Sequence, residues 1–391
     1  MGERPREVRL GIIGLGGMGL HHFKHAHAVR GARVTAVCDS NPERLRPAVE
    51  TDPTIKTFED WRDLLAADLV DAVLIATPHY DHPPIATAAL ERDVHVLTEK
   101  PVAVTVGAAR RVNELAARKP HLKYAAMFQQ RTWPGPRKVY ELVRGGELGE
   151  ISRLTWVVTD WFRPWSYYAS GTWRATWSGE GGGVLINQCP HNLDLICWIT
   201  SMLPKRVTAV AHLGKTHPIE TEDEVSAIFE YETGATGHFI TTTGEAPGTN
   251  LLEIAGDRGL LRLEGRRLTL RRTKQSVREF RETSPGPFSL PEVDEQVIPI
   301  DPTPELSHVT VTQNFVDAIL NDEPLIAPGV DGIKGLELGN AMLLSGVTRK
   351  PVELPLDAEV FGRFLLDLQH QYGGRKMPAE GVAQAVTQPR F

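Results

Sequence analysis

The short segment with the clearest chemistry is Gly14-Leu15-Gly16-Gly17-Met18-Gly19, a G-x-G-x-x-G spacing that follows the apolar run VRLGIIG and opens a helical pattern. Each glycine then has a physical task. Gly14 permits a tight turn, Gly16 lets the backbone approach a pyrophosphate, and Gly19 lets helix and strand pack closely, with Gly17 and Met18 part of the same phosphate-facing turn. Asp39 lies 20 residues beyond Gly19, at the end of ARVTAVCD. A carboxylate there accepts hydrogen bonds from the adenosine ribose and repels a 2′-phosphate, so NAD is expected in preference to NADP. Arg44, in the next helical segment, leaves NADP open. A turn that binds nothing would explain the glycines but not the acid, although an Asp here could also cap the segment that starts at Pro42.

Three further groups follow: Ala76-Thr77-Pro78 with His82, Glu99-Lys100-Pro101, and Gly181-Gly182-Gly183 leading to His191 and Asp194. Lys100 precedes a proline, so its backbone is held extended or in a turn. An ammonium at that strand end can hydrogen-bond a reacting oxygen and stabilise alkoxide character. Read alone, a lysine in such a place is more often solvated. His191 carries an imidazole that titrates near neutral pH and suits a general base. The segment NQCPHNLDLICWI predicts a helix from Pro190 with His191 in its first turn and Asp194 on the same face.

Five of the eight tryptophans, Trp156, Trp161, Trp165, Trp173 and Trp177, fall within 22 residues that also hold Phe162, Tyr167 and Tyr168. Aromatic faces pack against the C–H faces of pyranose rings, and Arg163, Arg174 and the tyrosine hydroxyls can bond to sugar hydroxyls. Tyr167, Trp173, Arg174 and Arg163 are therefore expected to bind substrate. Trp156 reads equally well as core. HHFKHAH at 21–27 has no carboxylate or cysteine to complete a metal site, so no metal is expected and His22 is at most a neighbour of the cofactor.

These residues need a scaffold. Short β-branched runs at 8–14, 32–39, 69–77, 94–100 and 122–128 alternate with helical patterns at 17–30, 42–50, 83–91 and 104–118. That alternation predicts a doubly wound parallel α/β sheet over residues 1–150. Beyond it, runs at 153–161, 206–213, 224–232, 235–243, 250–256 and 260–272 alternate with period two. They predict an open, mostly antiparallel sheet in an α+β domain over 151–372, with helical patterns at 308–321, 330–346 and 357–370 and a polar tail at 373–391.

Composition excludes several classes. A net charge of −6 without a run of one sign gives a nucleic-acid backbone nothing to displace counterions with. No stretch approaches the ~20 apolar residues of a membrane helix. Cys38, Cys189 and Cys197 are too few and scattered for a disulfide framework, which suits a reducing compartment, and with no export signal visible the cytoplasm is expected.

Taken in order, the glycine fingerprint, Glu99-Lys100-Pro101 and the glycine-rich segment leading to His191 and Asp194 resemble the glucose–fructose oxidoreductase/inositol dehydrogenase (Gfo/Idh/MocA) family over nearly the whole chain. The resemblance implies an N-terminal Rossmann domain and an NAD(P)-dependent oxidoreductase acting on sugars, glycosides or inositols, as a homodimer or homotetramer joined through the open sheet. It implies cofactor contacts from Thr77, Pro78, His82, Glu99, Lys100 and Pro101, and suggests a cis Lys100–Pro101 peptide. It also implies catalytic roles for Lys100 and His191. In inositol-dehydrogenase-like members an Asp sits four residues before the catalytic His, where this chain has Asn187. An amide takes no proton at neutral pH, so Asn187 is expected to bind substrate or orient His191. Two other readings stay open: a lyase or glycosidase that uses NAD for transient sugar oxidation, with Tyr167, Tyr168 or Asp160 as second base, and a non-catalytic NAD-binding regulator.

Overall fold

The computed structural model describes residues 7–171, 173–302 and 306–373. Among the described residues six short strands form one all-parallel sheet: β1 (Val8–Ile13), β2 (Ala32–Cys38), β3 (Lys56–Phe58), β4 (Ala72–Ile75), β5 (His95–Thr98) and β6 (Tyr124–Ala126), in spatial order β3-β2-β1-β4-β5-β6. Alternate residues of each strand enter different cores. Val8, Leu10, Ile12, Val37, Leu74 and Leu97 pack on one face, and Ile13, Ala36, Val73, Ile75 and Val96 on the other. Helices cover both faces, as a sheet with no polar side requires.

The chain divides into two compact units, Met1–Thr132 with Pro304–Leu336, and Trp133–Thr303 with Glu337–Phe391. The first boundary therefore falls at residue 132, not near 150, because the helix Pro134–Arg144 packs on the helix Pro190–Thr200, with Tyr140 stacked on Trp198 at 4.0 Å. The helix Ser307–Asn321 returns to the first unit, where Val311, Phe315, Val316 and Ile319 complete the core that holds Leu10 and Leu74. β3 and the helix Trp61–Ala66 carry no expectation from the sequence. A three-residue polar strand at a sheet edge shows too little alternation to register.

The second unit is built on nine strands: β7 (Ile151–Val158), β8 (Arg206–Leu213), β9 (Glu222–Glu230), β10 (Thr236–Thr242), β11 (Asn250–Gly256), β12 (Gly259–Glu264), β13 (Arg267–Thr273), β14 (Val293–Ile298) and β15 (Val352–Glu353). Their order is β14-β13-β12-β11-β7-β10-β9-β8-β15, and among the described residues only β7 and β10 pair in parallel. The period-two alternation buries Trp156, Val207, Val225, Phe229, Phe239 and Ile254 on one face and leaves Val210, Ile228 and Ile240 exposed on the other. The run expected at 260–272 is a hairpin, β12 and β13, turning at Gly265 with φ +55°. β14 arises in a Pro-rich segment at 285–304, as an exposed edge strand VDEQVI.

Candidate functional site

In the first unit the expected cofactor residues sit at the ends of β1, β2, β4 and β5. Gly14 has φ +89°, and a Cβ there would lie 2.7 Å from the Ala76 carbonyl. A Cβ on Gly19 would lie 1.6 Å from the Gly14 carbonyl oxygen, so the helix Gly17–His25 can start hard against the turn only without a side chain at 19. Gly16 and Gly17 differ: the first would meet nothing nearer than Arg44 Nη1 at 4.0 Å and the second nothing within 4 Å. The backbone there lies under open space, the cradle a pyrophosphate needs at a helix N-terminus. Met18 is exposed beside it.

Asp39 is buried, and its carboxylate accepts from Leu15 N at 2.8 Å and Asn41 N at 2.9 Å, with Arg44 Nη1 at 3.5 Å. The alternative role, capping the segment that starts at Pro42, is filled instead by Asn41, which accepts from Glu43 N. Asp39 thus ties the end of β2 to the glycine turn. Next to β1, the loop after β4 carries Thr77 and Pro78. Thr77 Oγ1 is buried with no partner among the described residues, as a hydroxyl kept for a ligand would be. His82 has Nδ1 2.8 Å from the Pro101 carbonyl oxygen and Nε2 2.8 Å from that of Thr77, so it fastens this loop to the one after β5. Burial holds its pKa below the ordinary value.

Glu99 is buried and accepts from His22 Nε2 at 2.8 Å and Lys100 N at 3.1 Å. Burial pushes its pKa up, but the bond and charge of His22 and the charge of Lys100 outweigh it and hold the carboxyl at about 2. His22 therefore acts behind the loop. His308, 5.6 Å from the His22 ring, is pushed down to about 4 chiefly by burial and stays neutral at pH 7. The Lys100–Pro101 peptide is cis, as the resemblance suggested. These residues fit a dinucleotide: an open glycine cradle, a buried acid at the second strand's end and an orphaned hydroxyl beside the first.

In the second unit a different group gathers around Tyr167. Its Oη accepts from Arg174 Nη1 at 2.9 Å, Asn187 Nδ2 at 3.1 Å and Gln188 Nε2 at 3.3 Å. The Arg163 and Arg174 guanidinium carbons lie 5.0 Å and 4.5 Å from its ring centre, and Arg174 lies 4.7 Å from that of Trp173. Asn187, closing the helix Val184–Asn187, also donates to the buried Glu180. Glu180 accepts from Ala175 N at 2.6 Å and lies 3.7 Å from Arg174 Nη1. His191 is buried in the first turn of the helix Pro190–Thr200, as expected, next to Asn192, which accepts from Trp161 Nε1 at 3.3 Å.

Part of the aromatic segment is core. Trp177 is fully buried and Trp156 nearly so, bonded to Asn250, and neither can face a sugar. Phe162 and Trp165 are exposed. The sequence reading missed four buried groups. Glu180 precedes the glycine triplet, and that adjacency was its signal. Glu222 is fully buried, accepts from Gly183 N at 2.9 Å and Leu185 N at 3.1 Å, and is pushed up to about 7 by burial. Asp223 holds His217, whose Nε2 donates to the Arg163 carbonyl at 2.8 Å. Nothing in the local sequence marked these three.

A family model described as "Oxidoreductase family, NAD-binding Rossmann fold" matches residues 8–126, and one described as "GFO/IDH/MocA C-terminal domain" matches 137–262. Inositol 2-dehydrogenase of Corynebacterium glutamicum is 29% identical over 228 residues, 55% of this chain and 62% of that protein. A glycosyl hydrolase family 109 protein of Shewanella woodyi is 29% identical over 196 residues, 46% of this chain and 40% of that protein. Both alignments take in less than two thirds of the relative's own length. Among solved structures, the WlbA dehydrogenase of Bordetella pertussis, in complex with NADH and UDP-GlcNAcA, superposes with a TM-score of 0.74 at 26% identity, covering 90% of this chain and 100% of that one.

Proposed function

The chain belongs to the Gfo/Idh/MocA family, and from that premise we propose that it is an NAD(H)-dependent oxidoreductase of a cyclic sugar, a glycoside or an inositol. It acts on a secondary hydroxyl or carbonyl, at a ring position such as C3. The observation that carries this reading is the loop Glu99-Lys100-Pro101, anchored by a buried ionised carboxylate on the sheet edge that also holds the open glycine cradle. When bound, NAD supplies a hydride acceptor at nicotinamide C4.

The chain's own residues do the rest. Asp39 receives the adenosine ribose, with Gly16, Gly17 and Met18 over the pyrophosphate and Thr77, Pro78 and His82 along the same edge. Lys100 hydrogen-bonds the reacting oxygen and stabilises its alkoxide character, and His191 takes the hydroxyl proton in oxidation and returns it in reduction. Tyr167, Trp173, Arg174, Asn187 and Arg163 bind the sugar.

Measured NADH formation from NAD across pyranoses, glycosides and inositols tests the reading. Turnover of no member of the panel would sink it. A lyase or glycosidase would consume a glycoside without net NADH, and the relative from S. woodyi keeps that reading in view. Its second base would not be Tyr168, which is buried against Thr243 at 2.8 Å and whose phenol burial pushes up. A regulator would bind NADH and turn over nothing. We place the chain in the cytoplasm, as a dimer or tetramer joined on the exposed sheet face around Val210, Ile228 and Ile240. Among the described residues no helix is long and apolar enough to cross a membrane.

A further inference from the structure

Arg163 is fixed at its backbone, and its head has no carboxylate partner among the described residues. Its N–H donates to the Thr243 carbonyl at 2.9 Å, and its own carbonyl accepts from His217 Nε2 at 2.8 Å. His217 is held in turn by Asp223, fully buried, through both its ring and its backbone N–H. Such a chain of buried polar groups sets where a side chain starts. Among the described residues the guanidinium's polar and ring partners are the Phe162 carbonyl, at 2.9 Å, and the faces of Trp161 and Tyr167. Its Nε is buried without a hydrogen-bond partner, and no carboxylate lies within ion-pair distance of it among the described residues.

Tyr167 presents the complementary half. All three polar groups on its Oη are N–H donors, from Arg174, Asn187 and Gln188. A phenol surrounded by donors fills its lone pairs and has its own proton left to give, and no acceptor for that proton is present among the described residues. Arg174 is offset by Glu180 at 3.7 Å. Of the two guanidinium groups on the Tyr167 ring, Arg174 is thus paired with a carboxylate and Arg163 is not, among the described residues.

We propose that Arg163 and the Tyr167 hydroxyl form a subsite for a carboxylate, so that the sugar taken by this chain is an acidic one, a uronate or an aldonate. The proposal rests on the dehydrogenase reading for the sugar and narrows its class. One uncompensated positive charge and one O–H donor match a monoanion; a phosphate dianion calls for more donors. The neutral sugars of the wider panel would leave the Arg163 Nε and the Tyr167 proton poorly paired.

The test uses the full chain loaded with NADH and titrated calorimetrically with D-glucuronate, D-galacturonate and D-gluconate, and with D-glucose, D-galactose and D-glucitol as neutral counterparts. At least one acid should bind about tenfold more tightly than its counterpart. The preference should shrink with added salt, vanish in Arg163→Gln and survive in part in Arg163→Lys. Equal affinities, no binding of any of these sugars, or a preference that outlasts Arg163→Gln would overturn the proposal. So would tighter binding of D-glucose 6-phosphate than of every acid. NADH affinity, read in the same titrations, certifies that each variant is folded. It also separates the two levels: a native chain that binds no NADH brings down both readings, whereas NADH binding without acid preference brings down this one alone.

Discussion

Asn187 donates its side-chain amide to the buried carboxylate of Glu180 and to the hydroxyl of Tyr167. Where inositol-dehydrogenase-like relatives are expected to carry a carboxylate, this chain has a donor facing an acid. Asn187→Asp would set two carboxylates against each other, and one must take a proton or move. The variant should lose about 1–3 kcal/mol of stability at neutral pH and recover part of it in acid. Thermal unfolding at both pH values checks this; an unchanged melting temperature would mean Glu180 does not depend on the amide.

Lys100→Ala should lower kcat by about a thousandfold with NADH affinity within about twofold of native, since the ammonium's main task is the reacting oxygen and the dinucleotide keeps its other contacts. Steady-state rates with a sugar identified in the panel, alongside fluorescence titration of NADH, separate these effects. Near-native kcat would remove Lys100 from the chemistry.

Asp39 holds the glycine turn through Leu15 N and faces Arg44, so Asp39→Ala should act on both loop and ribose. NAD affinity is expected to fall about tenfold or more while NADP affinity holds or rises, because Arg44 is then free for a 2′-phosphate. Parallel loss of both cofactors would confine Asp39 to a structural role.

Glu222 gives a pH signature. Its folded pKa, about 7, lies above the ordinary carboxylate value of 4.5, so between those values the folded chain holds a proton that the unfolded chain releases. Stability from this group is full below pH 4.5 and declines as pH rises through about 7, by up to about 3 kcal/mol. Glu222→Gln cannot ionise. Relative to the native chain it should therefore be more stable near pH 8 than near pH 5, which denaturant titrations at the two pH values would measure; a difference independent of pH contradicts the assignment.

The first unit was largely legible because its signals are local. A glycine turn after a strand, an acid at the next strand's end and a Lys-Pro dipeptide each write their geometry within a few residues. Asp39 shows the limit: the sequence left a ribose contact and a helix cap both open, the cap belongs to Asn41, and only the fold reveals that the Asp39 carboxylate reaches back to Leu15. The second unit's site depends on distant pairings. Glu180 with Asn187, Asp223 with His217, and His217 with the Arg163 carbonyl join residues whose nearness is set by strand register and loop path. Composition likewise could not divide the tryptophans: Trp177 and Trp165 look alike in sequence, yet one is core and the other exposed.

The first unit draws its core from two separated stretches of chain. On a ribosome, β1 to β6 emerge first, but Val311, Phe315, Val316 and Ile319, which cover Leu10, Ile12 and Leu74, follow only after β7 to β14 of the second sheet have been made. At ~5–20 residues per second that interval is roughly 10–35 s. For that time the nascent sheet presents an aliphatic face to solvent or to a chaperone. A gene fragment cut at the apparent domain border would hold it in that condition permanently.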